Sequence, residues 1–122
     1  MAKTILIVDD SFSMRQTLAI ALKGAGYEVV EACDGKDGLV KLDGRKYNLI
    51  ISDVNMPNMD GISFVTASKQ IAAYKFTPVI MLTTEAGDEM KAKGKAIGVR
   101  AWVVKPFQPP ALLDAVAKLI QP

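Results

Sequence analysis

Four short runs of apolar residues, and a fifth that is partly polar, are separated along the chain by longer segments of mixed polarity. The runs are rich in β-branched residues. Such runs predict strands of a parallel sheet that is buried on both faces. We therefore predict five strands, at residues 4–8, 28–32, 49–52, 78–82 and 101–104.

The segments between the strands carry apolar residues at helical spacing. We predict helices at 13–23, 35–42, 62–73 and 88–97, and a fifth that begins at Pro109. In the fourth helix, Gly94 costs about 1 kcal/mol relative to alanine. Five strands that alternate with five helices predict a doubly wound α/β domain with a five-stranded parallel sheet in the order 2-1-3-4-5, as in flavodoxin-like folds.

Composition indicates one globular domain over residues 1–122, because half of the residues are apolar. The formal net charge of +2 is too small to indicate a nucleic-acid partner, and the basic residues between Lys91 and Arg100 are interpreted as a solvated helix face. No apolar stretch reaches membrane-spanning length, and we find no signal-peptide pattern. We expect a cytoplasmic protein that binds neither a membrane nor nucleic acid.

The chain has one cysteine and no histidine. Cys33 excludes an internal disulfide and is expected to be a packed small residue rather than a reactive thiol. Without histidine, Ser-His-Asp and Cys-His catalysis are excluded. Any metal must then be a hard cation that oxygen atoms hold.

Polar residues stand where four of the predicted strands end. They are Asp9 and Asp10, Asp53, Thr83, and Lys105. In sheets of this kind ligands bind outside the carboxyl ends of the strands, so we expect these side chains to converge at one edge.

Three carboxylates at one edge repel one another, by on the order of 4 kcal/mol for a pair 4 Å apart at an effective dielectric of 20. One Mg²⁺ would offset this repulsion, with Asp9, Asp10 and the backbone carbonyl of Asn55 as candidate ligands. The simpler alternative is that Asp9 or Asp10 caps the first helix. Asp53, which a loop follows, is the candidate nucleophile toward a phosphoryl group, and Lys105 and Thr83 would bind that group.

Four motifs resemble the signature blocks of two-component receiver domains, and the similarity covers essentially the whole chain. They are Asp9-Asp10-Ser11, the block from Ser52 to Gly61, Thr83-Thr84-Glu85, and Lys105-Pro106-Phe107. The chemotaxis regulators of this family are the most similar. The resemblance implies that Asp53 accepts a phosphoryl group from a histidine kinase, and that Asp53 shares one Mg²⁺ with Asp9, Asp10 and Asn55.

The resemblance further implies that Thr83 and Lys105 bind the phosphoryl group and that the Lys105–Pro106 peptide bond is cis. It also implies a monomeric switch that catalyses only its own phosphoryl transfer and slow dephosphorylation, with an aspartyl-phosphate phosphatase as a possible partner. After phosphorylation Thr83 would move, and Trp102 would turn inward or simply keep packing against a helix. Glu85 matches an acidic position near the output surface of chemotaxis regulators.

Alternative functions remain at this point. A dehalogenase-like phosphatase would need an Asp-x-Asp motif after the first strand, whereas Asp9 and Asp10 are adjacent. A flavodoxin would need a hydroxyl- and glycine-rich phosphate loop there. Within the receiver class, the output could be binding to the flagellar motor switch, or the protein could be a phosphate sink or phosphorelay intermediate.

Overall fold

A computed structural model describes residues 2–84 and 88–120. Within these ranges, five strands form one parallel sheet in the order β2-β1-β3-β4-β5, which confirms the predicted topology. Helices follow the strands in alternation. The elements are β1 Thr4–Val8, α1 Phe12–Gly24, β2 Glu28–Ala32, α2 Gly35–Lys41, β3 Leu49–Asp53, α3 Gly61–Lys69, β4 Val79–Thr83, α4 Asp88–Ala96, β5 Val99–Val104 and α5 Pro109–Leu119.

The sheet lies between two apolar layers. Ile5 and Ile7 of β1 pack in the layer that contains buried residues of α1 and α5, whereas Leu6 and Val8 pack in the opposite layer with α3. All four side chains are buried. Burial on both faces explains why β1 is apolar without the alternation of a half-exposed strand.

Several helix boundaries differ from the predictions, and for two of them, the start of α1 and the end of α3, the structure shows a local reason. α1 begins one residue earlier, at Phe12, because the Ser11 hydroxyl accepts a hydrogen bond from the Met14 amide at 3.2 Å. Ser11 is therefore the N-cap, and the capping role considered for Asp9 or Asp10 is wrong.

α3 ends at Lys69 rather than at residue 73, and a 3₁₀ turn at Ala72–Tyr74 follows it. This turn places the buried Tyr74 so that its hydroxyl donates to the Arg45 carbonyl at 2.6 Å and accepts from the Gly44 amide at 2.9 Å. The loop before β3 is thus held by a side chain that follows α3.

The expectation that Cys33 is packed is wrong, because its side chain is exposed. It lies in the loop after β2, where its amide donates to Asp37 at 3.0 Å. Desolvation and the carboxylates of Asp34 and Asp37 raise the pKa of the Cys33 thiol. Cys33 is therefore not an activated thiolate.

Gly94 is buried in α4 beneath the Trp102 ring of β5. A Cβ atom at this glycine would lie 2.2 Å from Cζ2 of the indole. Glycine lowers the helix propensity at this position, but the absence of a side chain leaves the space that the Trp102 ring occupies. In the described part of the chain, no helix is long and apolar enough to cross a membrane.

Candidate functional site

Three carboxylates meet at the carboxyl ends of β1 and β3. Asp53 is the last residue of β3, and Asp9 directly follows β1, which pairs with β3 through Val8 and Ser52. One carboxylate oxygen from each of Asp9, Asp10 and Asp53 lies within 4.8 Å of the other two. The predicted convergence of the acidic residues is therefore present in the structure.

The three carboxylates differ in their exposure. Asp9 is fully buried, Asp53 is 7% exposed, and Asp10 is exposed. A ligand can therefore approach from the side of Asp10, with Asp9 at the base of the site.

The ammonium of Lys105 joins two of the carboxylates. Its Nζ lies 3.4 Å from Oδ2 of Asp9 and 3.2 Å from Oδ1 of Asp53. The Lys105 amide donates to the Thr83 carbonyl at 2.8 Å, and the Lys105–Pro106 peptide bond is cis. The ends of β4 and β5 thus position the cation over the acidic pair.

The charges of this cluster are only partly balanced. Burial raises the pKa of Asp9, and repulsion from Asp53 acts in the same direction. The Ser11 amide, which donates to Asp9 at 2.9 Å, and Lys105 oppose this rise. Three carboxylates facing one ammonium leave an excess of negative charge at the site.

Thr83 and Asn55 lie where the sequence predicts them. Thr83 is the last residue of β4 and is buried, and Asn55 is exposed at the start of the loop after β3. The phosphoryl-binding role of Thr83 and the metal-binding role of the Asn55 carbonyl stay predictions. Glu85 lies outside the described residues.

Two supporting residues were not foreseen from the sequence. Gly61 donates its amide to the Val54 carbonyl at 2.7 Å, and a Cβ atom there would lie only 2.0 Å from the carbonyl oxygen of Asp53. The sequence feature that could have indicated this role is a glycine at the start of a helix, at a point where the helix must approach the end of a buried strand.

Arg15 is the second. Its Nη1 donates to the Asp9 carbonyl at 2.7 Å, and its Nε lies 3.4 Å from Oε1 of Glu31. It thereby ties the end of β1 to β2. A basic residue in the first turn of the helix that follows the acidic doublet was the available signal.

The donor set suits a hard divalent cation. Carboxylate oxygens from Asp9, Asp10 and Asp53 are the ligands that Mg²⁺ prefers, and within the described residues this group of acidic residues is the one whose oxygens lie close enough to share an ion. Burial is the main cause of the raised pKa of Asp9, and a cation here would offset the repulsion from Asp53 that adds to it. The residues present therefore fit a magnesium site.

Comparisons with known proteins agree with this geometry. The family model described as "Response regulator receiver domain" matches residues 5–117. PilG of Pseudomonas aeruginosa is 38% identical over 112 residues, which cover 92% of this chain and 83% of PilG. The chemotaxis protein CheY1 of Helicobacter pylori is also 38% identical over 112 residues, which cover 90% of each protein.

A solved structure is similar over nearly the full length. The chemotaxis protein CheY4 of Vibrio cholerae is 47% identical and superposes with a TM-score of 0.94, over 98% of this chain and 99% of that one. The fold is thus that of a known class of protein.

Proposed function

We propose that this chain, which belongs to the family of response regulator receiver domains, is a chemotaxis regulator that is phosphorylated on Asp53. The observation that carries the proposal is the Lys105 ammonium, which lies between the carboxylates of Asp9 and Asp53 at 3.4 and 3.2 Å. A cation in this place can stabilise the carboxylate of Asp53 before the transfer and a phosphoryl group bound to Asp53 after it.

In the proposed transfer, a carboxylate oxygen of Asp53 attacks the phosphorus of a phosphohistidine on a partner kinase. The bond from phosphorus to the imidazole nitrogen breaks, and the imidazole leaves with the electron pair. Lys105 exchanges its contact with Asp53 for one with a phosphoryl oxygen, and the Thr83 hydroxyl donates a hydrogen bond to another.

Asp9, Asp10, Asp53 and the Asn55 carbonyl would hold one Mg²⁺. When bound, the ion supplies charge stabilisation for the equatorial oxygens of the phosphoryl group. The residues themselves orient Asp53: its Oδ1 accepts a hydrogen bond from the Val54 amide at 2.8 Å. Gly61 lets α3 approach the Asp53 backbone.

Receiver domains are phosphoacceptor switches rather than conventional enzymes. We propose that this one catalyses its own phosphorylation and then hydrolyses the aspartyl-phosphate slowly, with water as the attacking group. A partner phosphatase would accelerate that loss. We further propose that the protein is a cytoplasmic monomer.

The proposed switch runs from the site to α4 and β5. Thr83 moves toward the phosphoryl group, whose charge of about −1.5 to −2 and three oxygens attract its hydroxyl. Trp102, which packs over Gly94, then changes its position and alters the surface of α4 and β5. The proposed output of that surface is binding to the flagellar motor switch.

Phosphoryl acceptance is tested with a phosphohistidine kinase that carries a radiolabelled phosphoryl group. We expect Mg²⁺-dependent label on the chain, lost in Asp53→Asn and kept in Asp60→Asn. Asp60 is a matched control because it is the N-cap of α3, accepting from the Ser63 amide at 2.7 Å, and not part of the carboxylate cluster. Equal labelling of the Asp53→Asn variant would contradict the proposal.

Output is tested by binding the N-terminal peptide of the motor-switch protein to the free protein and to its beryllofluoride–Mg²⁺ form. Tighter binding in the beryllofluoride form, but not in Asp53→Asn treated alike, supports a motor-controlling switch. Equal binding, or none in either form, supports the phosphate sink or relay instead.

A further inference from the structure

A cleft of about 460 Å³ opens near the amino ends of β4 and β5, at the opposite end of the sheet from Asp53. The end of α3, the 3₁₀ turn that follows it and the end of α4 form its walls. We call it the basic cleft and define it by Lys69, Gln70, Lys75, Phe76, Ile97 and Arg100, which are among its lining residues.

The charge of the basic cleft is one-sided. Among the described residues that line it, Lys69, Lys75 and Arg100 are cations and none is a carboxylate. No salt bridge within the described part of the chain includes any of the three. Their positive charge is therefore left for solvent or for a partner to neutralise.

The pKa of Lys69 reflects its burial and the lack of negative charge in the basic cleft. Its ammonium donates to the Thr77 carbonyl and is partly buried, and burial followed by repulsion from Arg100 lowers its pKa. A negative group in the cleft would relieve that repulsion.

Phe76 gives the cleft an apolar feature. Its side chain is 84% exposed, and the Lys75 ammonium lies 5.7 Å from the centre of its ring. The same ring lines a neighbouring cleft of about 550 Å³ that Arg45 and Lys46 also border. An occupant that covers Phe76 would therefore reach into two clefts, which favours an extended chain over a small anion.

We propose that the basic cleft docks an acidic segment of a partner protein. Carboxylates of that segment would pair with Lys69, Lys75 and Arg100, while an apolar side chain would cover Phe76. None of these residues contributes to the phosphorylation site, so the proposal goes beyond the receiver function and does not depend on it.

The test uses a fluorescein-labelled peptide of alternating glutamate pairs and leucines, with fluorescence anisotropy as the readout. We expect binding at low ionic strength that weakens with added salt, and none when glutamine replaces each glutamate. Phe76→Ser should weaken binding about tenfold and Arg100→Gln about threefold. Both residues are exposed, and circular dichroism checks that the variants are folded.

Two matched variants act as controls. Phe12 is also an exposed phenylalanine with a cation 5.7 Å from its ring centre, that of Arg15, but it lies beside the acidic doublet. Lys91 is an exposed cation of α4, outside the basic cleft. Phe12→Ser and Lys91→Gln should bind the peptide as the unsubstituted protein does.

Three results would overturn the proposal. The first is that the peptide does not bind at low ionic strength. The second is that the control variants lose as much peptide binding as the cleft variants. The third is that only Lys91→Gln loses peptide binding, which would place the peptide on α4 and β5. Sedimentation that shows self-association abolished by Arg100→Gln, without peptide binding, would assign the cleft to a second copy of the chain instead.

Discussion

At the carboxyl end of the sheet, the ionisable side chains of Asp9, Asp53 and Lys105 are enclosed and contact one another. At the amino end, the cations of the basic cleft lie beside an exposed phenylalanine and, within the described residues, outside any salt bridge. The first arrangement is organised before a ligand arrives. The second is a surface whose positive charge is left for solvent or a partner to neutralise. The carboxyl end therefore suits a small group, and the amino end suits a segment of a protein.

The carboxyl end also contains two kinds of carboxylate. Asp34 and Asp37 accept backbone hydrogen bonds near the start of α2, and these bonds lower the pKa of both side chains. Burial instead raises the pKa of Asp9. Hydrogen bonds therefore dominate the pKa of Asp34 and Asp37, whereas desolvation dominates that of Asp9.

The largest expected effect comes from Gly61→Ala, which should damage only the carboxyl end. Its Cβ would lie 2.0 Å from the carbonyl oxygen of Asp53 and 2.8 Å from the Met81 methyl group. We expect the free energy of unfolding to fall by about 3 kcal/mol, measured by urea denaturation.

Gly24→Ala is the matched control for this substitution. Gly24 is an exposed residue at the end of α1, and a Cβ there meets no atom within 4 Å. We expect its free energy of unfolding to be unchanged or to rise by up to about 1 kcal/mol. Similar losses in the two variants would mean that the close approach of α3 to Asp53 is not a source of stability.

The second prediction concerns α4 and β5, which run between the two ends. Gly94→Ala should push the Trp102 ring outward, with a red shift of its fluorescence and a loss of about 1 kcal/mol in the free energy of unfolding. In a Trp102→Ala background, the same substitution should raise that free energy by about 1 kcal/mol, because only helix propensity then changes. The same sign in both backgrounds would refute the steric explanation.

The smallest expected effect is the pH dependence of the stability that Asp37 contributes. Hydrogen bonds from the Cys33 amide and from Lys41 hold the pKa of Asp37 below its ordinary value of 3.8. The stability that ionised Asp37 contributes is therefore complete above about pH 4 and is lost as the pH falls through the lowered pKa.

We expect Asp37→Asn to lower the free energy of unfolding by about 0.5–1 kcal/mol at pH 7. This difference from the unsubstituted protein should shrink below pH 4. Asp114→Asn, at an exposed position of α5, should change the free energy by less than about 0.5 kcal/mol across the same range. A difference for Asp37→Asn that persists at pH 2 would show that its ionisation is not the cause.

The topology and the meeting of the site residues could be predicted because both follow from short-range patterns. Apolar runs mark buried parallel strands, and parallel strands bring their carboxyl ends together, so Asp9, Asp53 and Lys105 converge. The end of α3 could not be predicted in this way, because Tyr74 bonds to Arg45 in a distant loop.

The surroundings of individual residues could not be predicted from the sequence pattern either. The exposure of Cys33 depends on how the loop after β2 lies against Asp37. Helix propensity correctly marked Gly94 as unfavourable. The reason for a glycine at this position is visible only in the structure, where Trp102 of the next strand packs over it.

The contact between Gly94 and Trp102 has a consequence for how this sequence can change by descent. An alanine that arose first at Gly94 would meet the indole at 2.2 Å from its Cζ2. A smaller ring that arose first at Trp102 would open the space that the methyl group of alanine can then fill. One order of the two substitutions is therefore more favourable than the other, because replacing the tryptophan first removes the clash before the helix gains a side chain.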